Sequence, residues 1–167
     1  MIDNVTCIIL AGGKSSRMGR DKSFVPFLGK PLIENVIDKM EPIFKDTIIV
    51  TNSPHLYKKY KMETRVDILT DRGPLGGIHA GLSYSKNKYN LVVACDMPFL
   101  NEGLIRLMTE RLVDCDAVVP RCKGRLEPLC AVYSKSCIRL IESEIASNNL
   151  KMMNFLELVK IRIIEET

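Results

Sequence analysis

Short apolar runs recur through this chain, and the stretches between them carry apolar residues at helical spacing. That alternation limits the possible folds more than any other feature. The runs at 5–10 (ValThrCysIleIleLeu), 47–50 (ThrIleIleVal), 66–69 (ValAspIleLeu), 91–95 (LeuValValAlaCys), 116–120, 129–133 and 161–164 are rich in β-branched residues and read as strands. Between the first two, Leu32, Ile33, Val36, Ile37 and Met40 mark one face of a helix that opens at Pro31 and is stopped by Pro42. A short helix at 54–60, capped from ThrAsnSer, is expected next, and another runs from the glycine-rich stretch at 73–81 to about residue 86. Further helices are expected at 102–112, with Asn101 as N-cap, and at 135–146 and 150–159. The pattern predicts an α/β chain: a three-layer, mostly parallel Rossmann-like sheet with helices on both faces. The polar hinge at 121–128 is too short for a crossover helix, so one antiparallel strand is expected there.

With 167 residues and no repeat, low-complexity segment or linker, a single domain over 1–167 is expected. The net charge of +4 suits a small anionic substrate but gives no reason to expect nucleic acid, because neither an aromatic platform nor a basic face accompanies it. The start, MetIleAspAsnValThrCys, lacks the basic region of a secretion signal. No apolar run approaches the ~20 residues of a spanning helix, so no membrane association is expected. The six cysteines form no CxxC pair and have no zinc-ligand spacing, which reads as reduced structural thiols in a cytoplasmic protein. His55 and His79 have no partners at ligand or catalytic spacing and are assigned to structure.

The first strand ends in chemistry. After Leu10 and Ala11 come Gly12 and Gly13, then Lys14, Ser15, Ser16, Arg17, Met18, Gly19, Arg20, Asp21 and Lys22. Ligands of open α/β sheets bind at strand carboxyl ends, and glycines there let backbone N–H groups approach a phosphate that lysine and arginine neutralise. Gly13-Lys14-Ser15 is not a P-loop, since Ile8 stands where that motif needs glycine. The glycine spacing also fails the dinucleotide fingerprint. Asp96 directly follows the 91–95 run, where a buried carboxylate would be costly unless paired or metal-bound. With phosphates nearby, Mg²⁺ is its expected partner, because that ion takes one or two carboxylates plus phosphate oxygens. Asp71, before the GlyProLeuGlyGly stretch, is expected to contact ribose or base at a flexible loop.

In order along the chain, LeuAlaGlyGly-x-SerSerArgMetGly-x-AspLys, GlyLysProLeu, GlyProLeuGlyGlyIle-x-AlaGlyLeu, CysAspMetProPhe and Arg-x-GluProLeu-x-AlaValTyr resemble the nucleotidyltransferases. The match spans about residues 5 to 134 and is most similar to molybdenum cofactor guanylyltransferases. The resemblance implies transfer of GMP from GTP to the phosphate of molybdopterin–molybdenum cofactor, with release of pyrophosphate and with Mg²⁺ as cofactor. It implies that Leu10, Ala11, Gly12 and Gly13 hold the nucleotide, Lys22 its phosphates, and Asn52 and Asp71 further parts of it. Asp96 would bind both GTP and Mg²⁺, while Arg17 joins Lys22 and Asp96 in catalysis. Molybdoenzyme chaperones or other proteins of the cofactor pathway are implied partners. Cytidylyl relatives resemble the same loop with alanine at the first glycine, so Gly12 points to guanine. The family's usual closing Asn-rich loop and helix are not seen after residue 164, which leaves the acceptor side open. Alternatives are a cytidylyl- or sugar-phosphate nucleotidyltransferase, or a non-catalytic GTP-binding adaptor in cofactor delivery.

Overall fold

The computed structural model describes residues 1–12 and 21–165. The chain opens with β1 (Val5–Leu10), a small hairpin of β2 (Pro26–Phe27) and β3 (Lys30–Pro31), and α1 (Leu32–Met40). Next come β4 (Thr47–Val50), a 3-10 helix over Pro54–Tyr60, β5 (Glu63–Arg65), α2 (Gly73–Tyr84) and β6 (Tyr89–Ala94). Then follow α3 (Glu102–Glu110), β7 (Ala117–Cys122), β8 (Arg125–Leu126), β9 (Cys130–Ser134), α4 (Ile138–Ala146), α5 (Met152–Leu158) and β10 (Ile161–Glu165).

Among the described residues one large sheet has the order β10-β7-β9-β6-β1-β4-β5, with β8 folded back on β7. The β1–β4, β1–β6, β4–β5 and β7–β10 pairs are parallel. β9 is antiparallel to both neighbours, β6 and β7. The few residues between β7 and β9 can only reverse the chain, which gives the antiparallel strand expected from the sequence. It lies inside the sheet, not at its edge.

α1 and α3 cover one face of the sheet, and α2, α4 and α5 cover the other. Successive residues of β1 show why its run is apolar but for Thr6: Cys7 and Ile9 join the first core, Ile8 the second, and all three are fully buried. α1 is amphipathic as the spacing predicts, with Ile33, Val36, Ile37 and Met40 inward. The Asn101 side chain accepts the Leu104 N–H at 3.0 Å, which caps α3. Burial pushes the Cys130 and Cys137 thiols up to about 12, so both stay protonated and inert.

Three sequence expectations need correction. The third strand lies at Glu63–Arg65 and not at 66–69, where Val66 and Ile68 are 43% and 47% exposed. Among the described residues β5 is an edge strand with β4 as its sole neighbour, so it needs little apolar burial. The Thr51 amide takes the Arg65 carbonyl at 2.8 Å, and the chain then leaves the sheet. The segment at 54–60 is a 3-10 helix whose N-cap, Ser53, makes no side-chain cap. The glycines after Asp71 lie inside α2 and are not a flexible loop. A Cβ on Gly77 would meet Leu10 Cδ2 at 3.1 Å, and one on Gly81 would lie 2.6 Å from Ile8 Cγ2. These glycines let α2 press onto β1.

Candidate functional site

A cleft of about 830 Å³ opens at the carboxyl ends of β1, β4 and β6. Its floor is the extension of β1. The Ala11 amide donates to Val50 O at 2.9 Å, and the Cys95 amide donates to Leu10 O at 3.0 Å. The opening strand is therefore gripped on both sides up to the point where Gly12 turns away with φ +110°. A side chain at that φ is strained, and its Cβ would sit 3.4 Å from Thr51 Oγ1. Glycine is required at position 12 by the backbone itself.

Around this floor stand the other residues expected from the sequence. Lys22 opens a 3-10 turn over Lys22–Phe24, where the Asp21 carboxylate accepts the Ser23 N–H at 2.9 Å. Lys22 itself is exposed and lines the cleft. Asp96 also lines it, in the turn just after β6. It is exposed, so the burial cost expected for a carboxylate at this position does not arise. Asp71, with φ +58°, and Asn52 complete that side of the rim. Thus Leu10, Ala11, Gly12, Lys22, Asn52, Asp71 and Asp96 line one cleft. Gly13, Lys14 and Arg17 lie outside the described residues.

One cleft residue was missed by the sequence reading. Asp67 is half-buried and bonded to Asn52 twice. The Asn52 amide donates to Asp67 Oδ2 at 3.2 Å, and the Asp67 backbone N–H donates to Asn52 Oδ1 at 3.1 Å. The signal was a carboxylate inside the apolar run at 66–69, which reading that run as a strand obscured. Burial, followed by the nearby Asp71 charge, raises the Asp67 carboxyl above the ordinary range, while the Asn52 amide opposes this. A raised folded-state pKa means that ionised Asp67 costs stability, most fully once the pH exceeds that pKa. Asp67→Asn should therefore melt at or above the wild-type temperature at pH 7 while binding nucleotide more weakly. Calorimetric melting and a nucleotide titration of the same sample check this.

His79 is not among the residues that line the cleft. It is buried on α2 with Nε2 3.0 Å from Glu142 Oε1 on α4, the structural role expected of it. Among the described residues no group of three or more metal-ligating side chains occurs. Asp96, a single exposed carboxylate facing a cleft, cannot cage a metal alone. It does fit Mg²⁺, which keeps water and phosphate oxygens for most of its shell. Among the described residues no helix is long and apolar enough to cross a membrane.

Sheet order, the reversed β9 and a cleft at the head of β1 make this an α/β nucleotidyltransferase. A model of the MobA-like NTP transferase domain matches residues 7–159, and the chain belongs to that family. A Clostridium perfringens protein named "Probable molybdenum cofactor guanylyltransferase" is 40% identical over 159 residues, covering 95% of this chain and 80% of its own length. The "Molybdenum cofactor guanylyltransferase" of Desulfosudis oleivorans is 37% identical over 167 residues, covering 99% and 83%. Among solved structures, molybdopterin-guanine dinucleotide biosynthesis protein A from Archaeoglobus fulgidus superposes with a TM-score of 0.84 at 29% identity, covering 96% of this chain and 83% of that one.

Proposed function

We propose that this chain transfers GMP from GTP to the terminal phosphate of molybdopterin–molybdenum cofactor. The observation that carries the reading is the cleft itself, where an exposed carboxylate, Asp96, and an exposed cation, Lys22, line the same cavity beside the glycine floor. The names of the relatives support GTP and the pterin as its substrates. In this reading an oxygen of the acceptor phosphate attacks the α-phosphorus of GTP. The bond from that phosphorus to the bridging oxygen breaks, and pyrophosphate leaves with the electron pair. An ionised phosphate needs no strong general base, so the protein's task is alignment and charge neutralisation.

The Gly12 backbone lets the α- and β-phosphates approach the end of β1. Lys22 neutralises the pyrophosphate side, joined by Lys14 and Arg17. Asp96 holds Mg²⁺, which when bound stabilises negative charge shared by the reacting phosphates. The φ of Gly12 favours glycine on backbone grounds as well, so in this reading Asn52 and Asp67 share the choice of base. A carboxylate beside an amide suits the N1–H and amino donors of guanine.

Mass analysis of a reaction with GTP, Mg²⁺ and molybdopterin–molybdenum cofactor should find the guanine dinucleotide of the pterin. Lys22→Ala should raise the KM for GTP and cut turnover about tenfold or more, since one charge-assisted phosphate contact is worth about 1.5–3 kcal/mol. Its melting temperature should hold, because the exposed side chain packs nothing in the core. A large fall in melting temperature would assign Lys22 to structure instead.

A further inference from the structure

Beneath the cleft, a string of polar side chains links the turn that carries Lys22 to the turn that carries Asp96. Ser23 and Tyr57 are fully buried, and Cys95 is 7% exposed. Tyr57 Oη lies 3.1 Å from Asp21 Oδ2 and 2.8 Å from Ser23 Oγ. Ser23 Oγ in turn is 3.3 Å from the sulfur of Cys95, 72 residues away in sequence. The Cys95 amide also donates to Leu10 O at 3.0 Å, which ties it to the strand that ends at the Gly12 floor. Burial pushes both the Tyr57 hydroxyl and the Cys95 thiol up, so they act as neutral partners.

Such groups are unfavourable in a core unless something requires them. The Tyr57 ring packs against Phe24 and Tyr60 at centroid distances of 5.2 and 6.3 Å, so apolar contact alone accounts for the ring and leaves the hydroxyl unexplained. What the polar string joins is informative. Ser23 is the chain neighbour of Lys22, Cys95 is the neighbour of Asp96, and Gly12 ends the floor. Adjacent Cα atoms are held about 3.8 Å apart, so fixing the Ser23–Cys95 contact limits how far Lys22 can move relative to Asp96.

We propose that Ser23, Tyr57 and Cys95 are positioning residues that lock Lys22, Asp96 and the Gly12 floor into one geometry. This rests on the nucleotidyl transfer proposed above. A displacement of order 1 Å between reacting groups can cost as much as ~10²-fold in rate, and each hydrogen bond of the string contributes part of that precision.

The test compares Tyr57→Phe, Cys95→Ala and Cys95→Ser with the wild type. It reads kcat and KM for GTP and, with no acceptor present, the Mg²⁺ midpoint of GTP binding. Tyr57→Phe and Cys95→Ala should each lower kcat about tenfold, the scale of one lost hydrogen bond in the interior, and raise the Mg²⁺ midpoint. At saturating Mg²⁺ the KM for GTP should rise by less than kcat falls, because every residue that contacts GTP is still present and only its placement is loosened. Cys95→Ser, whose hydroxyl can make the same bonds, should recover most of both quantities. Wild-type kcat and midpoint in both Tyr57→Phe and Cys95→Ala would overturn the proposal. So would a loss in Cys95→Ser equal to that in Cys95→Ala. If Tyr57→Phe is unfolded at the assay temperature, the two Cys95 variants decide. A wild-type protein without transfer activity would count against the functional reading, while the Mg²⁺ midpoints would still decide the positioning role.

Discussion

Replacing Asp96 with alanine is expected to cut kcat by about 10²- to 10³-fold at saturating Mg²⁺ and GTP, with the melting temperature unchanged. The carboxylate is exposed in the cleft just beyond β6, so its loss leaves no cavity in the core. Its cost falls on the chemistry alone. Asp96→Asn separates charge from shape: the amide keeps the volume but is a poor ligand for a hard cation, so its rate should fall nearly as far. Turnover close to wild type in either variant would remove Asp96 from the reaction and leave it as a turn residue.

The second large effect concerns stability. Gly81→Ala ordinarily would favour a helix by up to about 1 kcal/mol, and valine by less. Here a Cβ at position 81 would lie 2.6 and 2.7 Å from Cγ2 and Cδ1 of Ile8, which is fully buried in the central strand. Either α2 lifts from the sheet or Ile8 leaves its well-packed position, and both exceed the gain in propensity. Gly81→Val should destabilise by about 3 kcal/mol, a fall in melting temperature on the order of 10 °C for a chain of this size. Because α2 also begins at the cleft, nucleotide affinity should fall with it. Combining Gly81→Ala with Ile8→Ala should cost less than the sum of the two single changes, since the truncated strand residue makes room for the new methyl group. Strict additivity would show that the overlap is not what makes glycine necessary.

The readable part of the fold follows from the physics of parallel sheets. β1, β4 and β6 are covered on both faces, so their runs had to be mostly apolar and stood out from their surroundings. Among the described residues β5 has one neighbour and little to bury, so its GluThrArg sequence gave no such signal, and the adjacent ValAspIleLeu was mistaken for it. That error hid Asp67. The GlyProLeuGlyGly stretch read as a flexible loop for ribose or base because glycine serves flexibility and close packing alike, and only the nearness of Leu10 to Gly77 separates the two. Likewise, Cys95 read only as a structural thiol, since its partner Ser23 lies 72 residues away. The positions of Leu10, Ala11, Gly12, Lys22 and Asp96 in one cleft were legible because each stands at or near a strand end, where α/β sheets bind ligands. Asn52 also entered as an expected nucleotide contact, yet its bond to Asp67 needed the folded chain.

The most direct test of the account measures pyrophosphate release with Mg²⁺ and molybdopterin–molybdenum cofactor, supplying GTP, CTP and ATP in parallel. Acceptor-dependent pyrophosphate from GTP, well above that from the other two, is the predicted result. Equal or greater release from CTP, or none from GTP, would contradict it.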